Sequence, residues 1–351
     1  MRVTLKTIAQ ETGFSITTVS RALAGYDDVA RETRALIQAT AERLGYQPNE
    51  AARQLRARRA NTIGLIIPTF GPRFSDPFFS ELLAGVGNQA AEHQFDLLVS
   101  TQAPGPDELD AYRRLAGGRV DGLIVVRTRH HDARIDYLCK TRMPFVAFGR
   151  ASRDDFTYVD VDGAEGMREL TQHFIDAGHR RIGYAAPPLD LNFTRLRLAG
   201  YRAALEASGL PYDQALVVAG HLTQRGGAGC AEVLLQMDSP PTAILAGNDM
   251  MAFGVMSAIR ERGLRVGVDI GVAGFDDVPD AEYSHPPLTT VHQPIYEIGR
   301  RTCDMLLQII QGRPLEEEHV VLKPTLVVRR SCGVTRVSAH KEVRARPQET
   351  D

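Results

Sequence analysis

A polyhydroxylated ligand such as a sugar is held by paired hydrogen-bond donors and acceptors and by aromatic faces that cover its C–H surfaces. The chain offers such groups at intervals: Asp76, Phe78 and Phe79 in "SDPFFSELLAG", Arg127 closing "DGLIVVR", and Arg150 in "FGR". Further along come Arg197 in "RLRLAGY", Asn248 in "LAGNDMMAFG", Asp276 in "GFDD" and Gln293 in "TTVHQP". Arg197 and Asp276 lead this set, because a cation and an anion together clamp vicinal hydroxyls. The others have structural uses as well. Asp76 and Asn248 are equally suited to capping helices, and Asp162, opening "DGAEGM", reads as a cap. One of Phe78 and Phe79 is expected in the core and the other against the ligand, while Arg150 can pair with a surface carboxylate.

A second set suits a polyanion. In "SITTVSRALAG" (15–25), Ile16, Thr17 and Arg21 project away from Val19 and Leu23, the apolar stripe of a short helix. Ile16 fits a thymine methyl and Arg21 a guanine edge. Ser15, Thr18 and Ser20 fit phosphate contacts, which hold register without reading sequence. Downstream, "YQPNEAARQLRARRANT" (46–62) places Arg53, Arg56, Arg58 and Arg59 around Leu55. A lone leucine among arginines suits an apolar wedge in a minor groove whose flanking phosphates the arginines neutralise. Thr4, Leu5, Asn49 and Ala52 complete the residues expected to face DNA.

These side chains need elements to hold them. Thr4 is placed to cap a helix from about residue 5 to 12 with Ile8 and Ala9 inward, and Gly13 stops it. Ser15 caps the second helix and Gly25 ends it. A third runs from about residue 31 to 44, with Leu36, Ile37, Ala41 and Leu44 as its apolar face. Two helices joined by only Gly13, Phe14 and Ser15 form a helix-turn-helix, whose second helix enters the major groove. From Thr62 the pattern changes to short apolar runs ("TIGLIIPT", "FDLLVST", "DGLIVVR", "PFVAFG", then "RRIGYAA", "ALVVAG", "TAILAG", "IGVAGFD") alternating with amphipathic helices. Such runs are strands buried on both faces, and so parallel sheets. Two parallel-sheet lobes make a cleft, and ligands bind at the carboxyl ends of the strands.

"TVSRALAG" and "GYQPNEAARQLR", in that order and separation, resemble the head and hinge of LacI/GalR-type transcriptional regulators. The likeness continues through the body, where "VPDAEYSHPPLTTVHQPIYEIG" (278–299) is similar to the family's late crossover segment. It implies a small all-α helix-turn-helix head plus hinge helix, and an α/β two-lobed periplasmic-binding-protein-like body with parallel sheets. The expected divisions are 1–48 for the head, 49–61 for the hinge, 62–330 for the body and 331–351 for a polar tail. By the same likeness Arg197, followed by Gly200 in an R-x-x-G arrangement, is the ligand arginine, and the cleft residues above contact sugar. The expected protein is a sugar-responsive repressor that binds a pseudo-palindromic operator as a homodimer. A purine or phosphorylated effector, or activation instead of repression, stays open. Ala30 departs from the family's usual serine at the start of the third helix, which weakens that cap by about 1 kcal/mol.

Charge agrees with this division. Residues 1–60 carry ten Lys/Arg and six Asp/Glu, a net of +4, whereas the remainder carries 31 and 37, a net of −6. A basic head on an acidic body points to an anionic partner for the head alone. Cys139, Cys230, Cys303 and Cys332 are scattered without CxxC spacing, which fits reduced thiols better than disulfides or zinc. No signal-like or membrane-length apolar run occurs, so a cytoplasmic protein without a membrane partner is expected. Enzyme signatures fail: "GVGNQA" (85–90) falls inside a helix instead of a strand-to-helix turn, and His130–His131 lacks a third metal ligand. No cofactor is expected. The tail has no leucine heptad to drive a tetramer.

Overall fold

The computed structural model describes residues 3–46, 60–69, 76–105 and 107–333. The chain separates into two compact units, Met1–Ala60 and Asn61–Asp351.

In the first unit, α1 (Leu5–Thr12), α2 (Ile16–Leu23) and α3 (Arg31–Arg43) follow one another across short turns. Local hydrogen bonding sets their ends. Thr4 and Thr7 form a reciprocal capping box, Ser15 accepts from the Thr18 N–H, and Gly13 takes the left-handed conformation at φ 74°. Ala30 at the start of α3 makes no side-chain cap, as its methyl group dictates. Ile8, Val19, Ala22, Val29, Ile37 and Ala41 form the buried core. Leu36 is a correction to the sequence reading: it is 52% exposed, because α3 turns Ile37 and Ala41 inward instead.

The second unit contains two parallel sheets. The first has strand order β11-β5-β4-β3-β1-β2, from β1 (Thr62–Pro68), β2 (Asp96–Gln102), β3 (Gly122–Val125), β4 (Phe145–Phe148), β5 (Tyr158–Val161) and β11 (His319–Leu322). The second has order β7-β6-β8-β9, from β6 (Ile182–Ala186), β7 (Val217–Ala219), β8 (Ala243–Ala246) and β9 (Gly271–Ala273). Register is set by paired apolar runs, for example Ile63 opposite Leu97 and Ile182 opposite Ala243.

Helices cover both faces of each sheet, which is why the inner strands are apolar throughout. On the first sheet, α4 (Pro77–Glu92) and α12 (Ile295–Ile310) pack on one face, and α5 (Glu108–Ala116) and α6 (Ala133–Thr141) on the other. On the second, α7 (Gly163–Asp176) and α8 (Asn192–Ala207) oppose α9 (Gln224–Leu235) and α10 (Asp249–Glu261). α4 and α12 touch through glycine: a Cβ on Gly85 would stand 3.0 Å from the Tyr296 carbonyl carbon. Gly85 therefore serves helix packing, and "GVGNQA" lies within α4.

Three crossings join the lobes: after β5, between β10 (Thr290–His292) and α12, and between β11 and β12 (Thr325–Val327), which pairs antiparallel with β10. β5, β11 and α12 were not among the elements read from the sequence. β2 was read as a buried run but is an edge strand, with Val99 41% exposed. The body also extends past its expected end at residue 330. Ser331 is fully buried, donates to the Val272 carbonyl at 2.7 Å and accepts from the Thr289 N–H at 2.7 Å. Residues 331–333 thus belong to the body, and the rest of the expected tail lies outside the described residues.

Candidate functional site

The carboxyl ends of β1, β3, β4, β8 and β9 converge with the crossings on a chamber of about 60 Å3. Eight of the nine candidate ligand residues line it, Phe79 being the exception. Each is held by its own local structure.

Asp76 caps α4 by accepting from the Phe78 N–H at 3.2 Å, and its other oxygen accepts from Arg127 Nη2 at 2.8 Å. It is thus both a cap and a site residue. Burial pushes its carboxyl above the usual range against the opposing charge of Arg127. Arg127 follows β3 at φ 51°, its guanidinium 4.8 Å above the Phe79 ring. That loop is braced by Arg134, 3% exposed, which donates to the Val126 and Arg127 carbonyls at 3.2 and 2.9 Å. Glu108 and Asp132 neutralise Arg134 at 2.8 and 2.6 Å. Phe79 is buried in the core, while Phe78 is half-buried and stacks on Phe148 with centroids 5.8 Å apart.

Arg150 follows β4 and donates through Nε to Asp160 at 2.6 Å; its Nη2 is buried with no partner among the described residues. Its carboxylate is not on the surface: Asp160 is 5% exposed in β5, and burial raises its pKa against the charge of Arg150. Sequence reading missed Asp160 because β5 was missed with it; the signal was a carboxylate inside "YVDV". Thr128, Phe148, Phe193 and Leu222 also line the chamber and were not anticipated.

Arg197, in the second turn of α8, is 5% exposed, with its guanidinium carbon 3.6 Å from the Phe275 centroid and 4.7 Å from that of Phe193. Nη1 donates to the Gly247 carbonyl, and Nε is buried without a hydrogen-bond partner among the described residues. Asp276, at φ 133°, accepts from Gln293 Nε2 at 2.6 Å. Arg197 and Asp276 both line the chamber and are bonded to other groups of the protein, not to each other. They still share a field: burial drives the Asp276 carboxyl well up, and the Arg197 charge only partly opposes it. Asn248 caps α10 through the Met251 N–H at 2.9 Å, and Asp162 caps α7 through the Glu165 N–H at 3.1 Å. Three arginines (127, 150, 197) face three aspartates (76, 160, 276), so the chamber is balanced in formal charge.

The chamber opens on a larger cavity of about 700 Å3, and Asp76, Arg127 and Leu222 line both. His130 and His131 bond to Asn192 and Ser152 at 3.3 and 3.1 Å. Among the described residues no group of His, Cys, Asp and Glu is arranged to hold a metal.

In the first unit, Ile16 and Thr17 stand exposed on the first turn of α2, where backbone N–H groups give positive potential. Ser15 and Thr18 are bonded to each other at 2.9 Å as part of the cap. Ser20 is half-buried, Thr4 is exposed and Leu5 is half-buried. Arg21 makes a bidentate ion pair with Asp28 and lies 4.8 Å over the Tyr26 ring, so it is held in place before meeting any base. Asn49, Ala52, Arg53, Leu55 and Arg56 lie outside the described residues.

A helix-turn-helix unit and a two-sheet body with a polar chamber define a DNA-binding regulator carrying a ligand-binding domain. Residues 4–49 match the model of bacterial regulatory proteins of the lacI family, and residues 171–332 match a periplasmic binding protein-like domain. The HTH-type transcriptional regulator CelR of Thermobifida fusca is 35% identical over 334 residues, covering 94% of this chain and 98% of the relative. The solved transcriptional regulator CelR–cellobiose complex aligns with a TM-score of 0.73 at 34% identity, over 94% of this chain and 100% of that one. The lac repressor dimer bound to operator and the anti-inducer ONPF aligns at 0.83 and 30% identity, over 94% and 99%. The chain belongs to the lacI family of bacterial regulatory proteins. It is a DNA-binding transcriptional regulator, not an enzyme.

Proposed function

We propose that this regulator represses transcription as a homodimer on a pseudo-palindromic operator, and that a neutral sugar in the chamber relieves repression. The observation that carries this reading is the chamber's charge balance together with its unpartnered arginine N–H groups. Asp76 and Asp160 are matched by Arg127 and Arg150, so a phosphorylated effector has to displace a carboxylate. Hydroxyl groups, which donate and accept at once, satisfy Arg150 Nη2, Arg197 Nε and the raised carboxyl of Asp276 without breaking any pair. The half-exposed Phe78 adds a face for sugar C–H bonds. CelR, the relative bound to cellobiose, agrees with a sugar.

Ile16, Thr17 and Arg21 read bases, while Ser15, Thr18 and Ser20 hold phosphates. One head covers half an operator, so two copies are required. The hinge arginines and Leu55 engage the minor groove. Sugar binding closes the lobes, moves the two bodies relative to each other and separates the hinges, a shift between two populated states. No described helix is long and apolar enough to cross a membrane, and the work of such a protein is in the cytoplasm.

The test is a thermal-shift screen of the protein against neutral sugars, purines and sugar phosphates, repeated on Arg197→Met. A neutral sugar is expected to raise the melting temperature of the wild type and not of the variant, and to release operator DNA only from the wild type. Stabilisation by a sugar phosphate and by no neutral sugar refutes the reading.

A further inference from the structure

The chamber and the cavity outside it differ tenfold in size, about 60 against about 700 Å3. A cavity needs roughly 10–15 Å3 of such space to seat one water, so the chamber has room for only a few waters, the scale of a single sugar ring. A monosaccharide therefore leaves the outer cavity to solvent. Yet the outer walls carry side chains suited to carbohydrate. Phe253 on α10 is half-buried, and Tyr283, on the short helix α11 (Asp280–Tyr283), is 73% exposed. Gln224 and Arg225 open α9, and with Asp280 and Tyr283 they make no side-chain hydrogen bond or ion pair among the described residues. Arg225 and Asp280 balance in charge, as the inner residues do.

We propose that the effector is an oligosaccharide of at least two units, one ring in the chamber and the next in the outer cavity. The glycosidic link passes the Asp76–Arg127 pair and Leu222, the residues common to both spaces. Tyr283 and Phe253 cover the second ring, and Gln224, Arg225 and Asp280 bond its hydroxyls. This rests on the sugar reading above and extends it: the inner residues recognise a sugar, and the outer residues set its length.

Calorimetric titration of the full chain with D-glucose, D-galactose, cellobiose, maltose, lactose and cellotriose tests it. At least one oligosaccharide is expected to bind ten times or more tighter than any monosaccharide it contains. Tyr283→Ala and Gln224→Ala are each expected to weaken that oligosaccharide about tenfold and leave monosaccharide affinity within twofold. A monosaccharide that binds as tightly as every oligosaccharide containing it overturns the proposal and leaves the sugar reading standing, as does equal weakening of both by Tyr283→Ala. If none of the sugars binds, both fall.

Discussion

Replacing Gly200 with alanine tests how the fold sets the position of Arg197. Gly200 lies one turn beyond Arg197 on α8, at the point where that helix meets α7. A Cβ there would stand 2.9 Å from the carbonyl carbon of Ala164, closer still to its oxygen, and 3.0 Å from the Arg168 nitrogen. Ordinary carbon contacts are about 3.5–4.0 Å, so the helices must separate by roughly 1 Å. The partners are backbone atoms and cannot rotate aside, which puts the cost at the upper end of about 1–3 kcal/mol for overpacking. At about 2 °C per kcal/mol for a domain of this size, melting should fall by about 4–6 °C. Effector affinity should fall too, because Arg197 moves with the helix. Gly229→Ala is the control: it lies in α9 with nothing within 4 Å of its added carbon, and should gain about 0.5–1 kcal/mol from reduced backbone freedom in the unfolded chain. Scanning calorimetry of both variants, with and without effector, reads the difference. A Gly200→Ala protein that melts at or above the wild-type temperature would refute the close-contact reasoning.

Asp249 is fully buried, and burial lifts its carboxyl to about 6 although Thr290 and the Val278 N–H bond it. Its folded value exceeds the unfolded one, so its contribution to stability is complete below the usual carboxylate range and is lost as pH rises through about 6. Asp249→Asn should therefore gain melting temperature over the wild type more at pH 7.5 than at pH 5; a constant difference across that range would contradict the assignment. In the head, Arg21→Ala should cost roughly 1–3 kcal/mol at a single operator base pair, seen as relaxed preference there in binding assays with operator variants. Asp28→Asn frees Arg21 and removes a negative charge near phosphate, so operator affinity should rise several-fold, with unchanged or weaker affinity counting against the reading surface.

Much of the head was legible in the chain because its determinants are local. Thr4, Ser15 and Gly13 bond or turn within four residues of themselves, so type and spacing suffice to place the helix ends. Leu36 went astray for the same reason: a helix of period 3.6 offers neighbouring apolar positions, and only packing against α1 and α2 selects Ile37 over it. In the body, strands buried on both faces announced themselves as apolar runs. β5 and β11 did not, being four-residue segments interrupted by Asp160 and opened by His319.

The sequence by itself determined the division into a basic helical head and an α/β body, the parallel character of the sheets and which residues end the strands. Those properties follow from hydrophobic periodicity and turn chemistry, which act over a few residues. Only the tertiary structure decided which groups meet. Arg150 takes Asp160, Asp76 takes Arg127, Asp276 takes Gln293, and Arg197 bonds the Gly247 carbonyl. Three of those four partnerships span 17 to 51 positions in the chain. Each is settled by how helices and crossings pack over the sheets, through contacts such as Gly200 on Ala164 that have no periodic signature in the chain.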